Sequence, residues 1–190
     1  MLTFDEINSL EQSVKAVSFK GKTAKEVEDT VLDYLLYAYV MGVKSAAQDL
    51  GIDIEPSARD AGLSVYAEVS SKDFAERIAE YAPGLALSGA EADEAETNIK
   101  RVIYTEAHRI TNEAIVEQGV KHGATHKVWQ TMLDDRVRET HEWLQSTVVP
   151  IDADFYSYTG AHGPAPGQFH DPAEDINCRC YIELIKGETK

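Results

Sequence analysis

From about residue 95 to residue 121 the apolar side chains recur at the helical period, and the middle of the greasy side they form is occupied by a carboxylate. On a helical wheel Ile99, Val102, Ile103, Ile110 and Ala114 fall together with Glu117, and Glu106 falls among them. An ionised carboxylate in an apolar stripe is costly unless something pairs with it. The fold must therefore bring a cation to Glu106, and the expected ones are Arg136 and Arg138, in the turn after the next strand. Glu106, Arg136 and Arg138 are thus predicted as a structural ion pair fixing the long helix against the elements that follow it. The functional alternative is a general acid or base with a raised pKa. His108 and Asn112 point away from this stripe, and Arg109 lies at its edge.

Upstream, Thr3 with Glu6 and Thr23 with Glu26 read as capping boxes. The first opens a helix through Leu10, Val14 and Val17 that ends by Gly21; the second opens one that runs to about Leu50, where Gly51 stops it. Two apolar stripes on this second helix, one through Val31, Leu35 and Tyr39 and one through Leu32, Leu36 and Val40, predict cover on more than one side. Pro56 starts a third helix, roughly 56 to 69, and Ser70 or Ser71 caps a fourth that ends at Pro83. This divides the chain into a helical N-terminal region, 1–82, a weakly patterned connection, 83–94, and a C-terminal domain, 95–190.

After Gly123 the pattern changes. Lys127 to Leu133 alternates as a strand, Asp134-Asp135 turns, Val137 to Leu144 makes a helical turn or two, and Val148-Val149-Pro150 is extended. Residues 152–177 form a long irregular loop with Pro164, Pro166 and Pro172, and Cys178 to Ile185 alternates as a closing strand. The fold class is α+β: a helical part, then a long helix packed on a small β-containing unit. A loop of this length inside a compact domain is functional or is held by something other than a strand ladder.

On a strand, Cys178 and Cys180 share a face about 6.5 to 7 Å apart, too far for a disulfide. Either they are small buried apolar residues, or two thiolates contribute to a tetrahedral metal site completed from elsewhere, with zinc as the fitting ion. The candidate partners are His141, His162, His170, Asp135, Asp171 and Asp175. His141 itself reads either as a surface or cap residue or as a ligand or proton carrier.

With 18 Lys and Arg against 33 Asp and Glu, the formal charge is −15, which opposes nucleic-acid binding by the surface as a whole. Any nucleic-acid contact is then indirect or uses a local patch such as Lys127, Arg136 and Arg138. No glycine-rich phosphate loop, G-x-S-x-G elbow, H-E-x-x-H helix or C-x-x-C pair occurs, so no small-molecule ligand is indicated. The most apolar stretch, Val31 to Val43, contains Asp33 and is shorter than the roughly 18 residues needed to cross a bilayer, so no membrane partner is expected. The acidic start lacks a leader pattern, and two cysteines suit a reducing cytoplasm.

Three blocks carry a resemblance. They are Arg101-x-x-Tyr104-Thr105-Glu106-Ala107-His108-Arg109 with Asn112-Glu113; Lys127-Val128-Trp129 leading to Asp134-Asp135-Arg136-Val137-Arg138-Glu139-Thr140-His141; and Asp171-Pro172 before Asn177-Cys178-Arg179-Cys180. In order and spacing they resemble the phage Mu F-like minor head protein family, over roughly 72 to 185 and beginning with Lys72-Asp73-Phe74-Ala75-Glu76-Arg77-Ile78. Where many members have Leu-Asp-Gly-Gln, this chain has Leu144-Gln145-Ser146-Thr147, so the turn has lost its glycine. The resemblance implies a phage or prophage head-morphogenesis component, associated with the portal or other capsid proteins and assisting procapsid assembly or DNA delivery. It would be made in the host bacterial cytoplasm and reside in the procapsid or virion. It also strengthens a metal or thiol-centred cross-link of His141, Cys178 and Cys180. The rival reading is a metal-dependent hydrolase or nuclease-like effector, with Glu106 as base and His141, Cys178 and Cys180 as ligands; a DNA-associated packaging factor is a third.

Overall fold

The computed structural model describes residues 4–69 and 72–187. Thr3, Ser70 and Ser71 lie outside the described residues, and with them the caps expected there. Five helices come first: α1 (Phe4–Ala16), α2 (Ala24–Leu50), α3 (Ala58–Val69), α4 (Lys72–Tyr81) and, after a 3-10 turn at Ala82–Ala86, α5 (Ala90–Lys121). A small α+β unit follows: β1 (Ala124–Gln130), α6 (Glu139–Glu142), β2 (Val148–Pro150), β3 (Phe155–Tyr156), β4 (His162–Gly163), α7 (Pro172–Asp175) and β5 (Tyr181–Lys186).

The caps explain the boundaries. Thr23 and Glu26 satisfy each other's backbone donors at the start of α2, and Gly51, with φ 62°, turns the chain out at its end. Ser57 Oγ accepts from the Asp60 amide and opens α3 just after Pro56. The expected connection at 83–94 is partly helical, because α5 begins at Ala90, behind Gly89, with Glu91 and Asp93 favouring its first turn.

Helices α2 and α5 cross at near contact. A Cβ on Gly42 would lie 2.3 Å from the Thr111 carbonyl oxygen, and Thr111 Oγ1 donates across the crossing to the Ala38 carbonyl. Strand β1 lies between β2 and β5 in an antiparallel sheet, with Trp129 opposite Ile182 and Lys127 opposite Leu184. One continuous core runs from Leu10 and Val14 of α1, through Leu35 and Ile103, to Ile182 and Leu184 of β5. Asp49, near the end of α2, accepts a hydrogen bond from the Leu184 amide and so ties the last strand to the N-terminal helices. Among the described residues no helix is long and apolar enough to cross a membrane.

Candidate functional site

Two sides of α5 organise two polar clusters. On one side Glu106, 5% exposed, accepts from Arg77 Nη2 of α4 at 2.8 Å and from Arg109 Nε at 2.9 Å. Burial pushes the Glu106 carboxyl up, but the charges and hydrogen bonds of Arg109 and Arg77 outweigh it and hold the group below the usual carboxylate range. The group is therefore ionised at neutral pH and is no proton donor. The expected partners lie elsewhere: Arg136 is 3.4 Å from Glu11 and 3.7 Å from Asp134, while Arg138 donates to the carbonyls of Glu174 and Ile176. This corrects the predicted trio. Arg109 shares the Glu106 face at i+3 and α4 brings Arg77 against it, so the carboxylate is satisfied within the helical layer.

On the other side the chain brings His141, Cys178 and Cys180 together. His141, on α6, is buried edge-on against Trp129, with Nδ1 3.5 Å from Cys178 Sγ and 3.4 Å from Cys180 Sγ. The three ligand atoms lie within 4.8 Å of one another, and the two cysteines, 3% and 2% exposed, are not joined by a disulfide. The two cysteines precede β5 rather than lying within it. Burial acts to raise the Cys178 thiol, but hydrogen bonds with Cys180, His108 and His141 outweigh it and carry it well below the ordinary value. The hydrogen bond to Cys178, with burial, pushes Cys180 the opposite way.

Behind the imidazole stands a residue the sequence reading did not single out. Glu174 Oε2 lies 3.1 Å from His141 Nε2, and the same carboxylate accepts from Thr140, Ser157 and Thr159 at 2.7, 3.2 and 3.0 Å. These bonds, with the His141 charge, overcome the upward push of burial and keep Glu174 below its usual range. Glu174 is placed by α7, which Asp171 caps by accepting from the Ala173 amide.

Two α5 residues hold the cysteine segment. His108 Nε2 donates to the Cys180 carbonyl at 2.5 Å, Asn112 Nδ2 donates to the same oxygen at 3.2 Å, and Asn112 Oδ1 accepts from the Ile182 amide at 3.0 Å. Their spacing of four on one helix face was the available signal, since it places both beneath one neighbouring segment.

The other ligand candidates do not join the thiols. His162 is exposed and lies 2.8 Å from Asp154, His170 and Asp135 are exposed, and Asp175 accepts from the Phe169 and Asp171 amides. Lys127 also departs from expectation: it is buried, with Nζ 5.5 Å from the Phe155 ring centroid, because it shares a strand face with neither edge free. The glycine-less turn keeps a glycine-like backbone, with Ser146 at φ 60° donating its amide to the Trp129 carbonyl at 2.8 Å.

The donor set fits zinc: two thiolates and an imidazole whose distal nitrogen faces a carboxylate. An adjoining cavity of about 10 Å³, about the size of one water, is lined by His141, Cys178, Cys180 and Met132 together with Arg136, Arg138 and Arg179. Glu106 lines a different cavity, with Arg77, Arg109 and Asp175.

A family model described as Phage Mu protein F like protein matches residues 64–183, a span that contains Arg77, Glu106, His141, Glu174 and both cysteines. The chain is similar to the minor head protein GP7 of Bacillus phage SPP1, 39% identical over 88 residues, covering 44% of this chain and 29% of that protein. It is also similar to the NAD(+)--arginine ADP-ribosyltransferase EFV of Enterococcus faecalis, 33% identical over 92 residues, covering 46% of this chain and 19% of that protein. The chain thus spans less than a third of the length of either relative. No solved structure matches. With well over half of its length matched, across the helix, the turn and the cysteine segment just described, the chain belongs to the Phage Mu protein F like family.

Proposed function

We propose that this chain is a minor head component acting in procapsid assembly through contacts with portal or other capsid proteins. The observation that carries the reading is the family match over residues 64–183, supported by the similarity to a minor head protein. It would be made in the host cytoplasm and end in the procapsid or virion. The match to the second relative spans 19% of that protein, too little to carry over the activity in its name.

A protein-binding role is supported by an exposed aromatic pair: Trp143, 71% exposed, meets Tyr158, 54% exposed, edge to face at 6.3 Å. Exposed Trp and Tyr are the side chains that most often anchor interfaces. Changing both to alanine is expected to leave the melting temperature near the wild-type value and to lower co-purification with the portal protein by about tenfold or more. Undiminished co-purification would remove this surface from the assembly contact.

For the buried cluster we propose a structural zinc site held by His141 Nδ1, Cys178 Sγ and Cys180 Sγ, with Glu174 orienting the imidazole. It would pin the coil 152–177 to the start of β5. The hydrolase reading is disfavoured by geometry: the thiols are shut from solvent, and Glu106 is occupied by two arginines. Elemental analysis of purified protein is expected to give one zinc per chain. In Cys178→Ser with Cys180→Ser the metal is lost and proteolysis within 152–177 accelerates. Protein with neither zinc nor increased cleavage in that variant would refute the clamp.

A further inference from the structure

Six of the eighteen Lys and Arg side chains line one cavity of about 640 Å³. They come from four parts of the chain: Lys15 of α1, Lys100 and Arg101 of α5, Arg136 and Arg138 from the turn before α6, and Arg179 from the approach to β5. In a protein of charge −15 this concentration runs against the overall field, so a need for solubility does not explain it.

Neighbouring carboxylates neutralise only part of it. Glu11, the one acidic side chain in the wall among the described residues, meets Lys15 at 2.5 Å and Arg136 at 3.4 Å. Asp134 takes Arg179 through two bonds, at 2.8 and 2.5 Å, and Glu96 lies 3.7 Å from Lys100. Among the described residues Arg101 and Arg138 have no carboxylate partner, and Arg138 donates only to backbone carbonyls. Among the described residues, three carboxylates thus face six cations. Tyr104 lines the same cavity, is 7% exposed, and its buried hydroxyl has no hydrogen-bond partner. An unmade bond at a buried hydroxyl is unfavourable, and a ligand oxygen would complete it.

The surplus is of several charges gathered over one small concavity. A single carboxylate would leave most of it unanswered, whereas phosphate groups concentrate two or three charges within a few bonds and match the forked donors of arginine. The volume lies within the range of pockets that hold nucleotide-sized ligands. From the convergence of Lys100, Arg101, Arg136, Arg138 and Tyr104 on this cavity, we propose that it binds a phosphate-bearing ligand of nucleotide size, either a free nucleotide or the phosphates of a single nucleic-acid strand. The site does not depend on the head-assembly reading, and it gives the negatively charged chain a local means of meeting nucleic-acid phosphate.

Calorimetric titration of the full chain at fixed ionic strength tests the proposal, with pyrophosphate, thymidine diphosphate, an eight-residue oligothymidylate and hexaglutamate as probes. Pyrophosphate and thymidine diphosphate are expected to bind. Arg101→Gln, at an exposed position, is expected to weaken them about tenfold, on the scale of one charge-assisted contact. Tyr104→Phe is expected to weaken them several-fold while leaving the melting temperature of the unliganded protein unchanged or higher, a pattern that general damage to the fold would not produce. Tighter binding of the oligothymidylate than of the diphosphate identifies a nucleic-acid strand as the source, and the reverse order identifies a free nucleotide. Binding of hexaglutamate with none of pyrophosphate assigns the cavity to an acidic peptide and overturns the proposal. So do heats indistinguishable from a chloride control, or full affinity in Arg101→Gln.

Discussion

Gly42→Ala is expected to destabilise the protein by about 3 kcal/mol, from overpacking at a contact with little room to move. For a chain of this size that corresponds to a fall in melting temperature of roughly 6 to 12 °C. The added methyl would lie 2.3 Å from the Thr111 carbonyl oxygen and 2.7 Å from Ala114 Cβ, so α2 and α5 would have to separate along their crossing. Helix propensity alone predicts the opposite sign, since alanine is favoured over glycine in a helix by about 1 kcal/mol. Gly62→Ala on α3 supplies the control: nothing lies within 4 Å of its added Cβ, and stability should rise by roughly 0.5 to 1 kcal/mol. Denaturant unfolding of both variants measures the contrast. A stabilised Gly42→Ala protein would mean that the two helices do not cross this closely.

Glu106→Ala removes the carboxylate that bridges Arg77 and Arg109, while Arg109 keeps its 2.8 Å pair with Glu113. Fully buried pairs lose about 3 to 5 kcal/mol on such a change. The arginine side chains retain 30% and 22% exposure, which lets water compensate in part. A loss of about 2 to 4 kcal/mol at pH 7 is therefore expected. The pH dependence follows from the direction of the shift. Because the folded-state pKa lies below the unfolded value of about 4.3, the stabilisation is complete above that pH and disappears as the pH falls through the folded pKa. The stability gap between wild type and Glu106→Gln, measured in urea, should therefore narrow from pH 7 to pH 3. A gap independent of pH would show that the carboxylate draws no stability from its charge.

The second helix was the most legible because it is written twice, once in its apolar period and once in its caps. Thr23 with Glu26 and Gly51 bracket α2 where the pattern places them. The strands beside β1 were legible as alternation, although observed β1, at Ala124–Gln130, begins three residues before the expected run. That Glu106 would be buried and need a cation followed from the wheel; which cation did not. Arg77 reaches it through the packing of α4 on α5, which no local pattern encodes, whereas Arg109 at i+3 was readable and was set aside as an edge residue. Alternation likewise could not show that both faces of β1 are covered, which is why Lys127 was expected at the surface and is found over Phe155. Glu174 escaped notice because its role exists only after α7, α6 and the Ser157–Thr159 turn have met around it.

Strand β5 makes its side-chain hydrogen bonds to partners far back in the chain: Asn112 is 70 residues before Ile182, and Asp49 is 135 before Leu184. Both bonds require long closures, so neither is gained early in folding. The two sulfurs lie at the entrance to that strand and are hidden only while it is seated. Their rate of reaction with a small alkylating reagent consequently acts as a clock for the opening of the whole molecule rather than for the fraying of one loop.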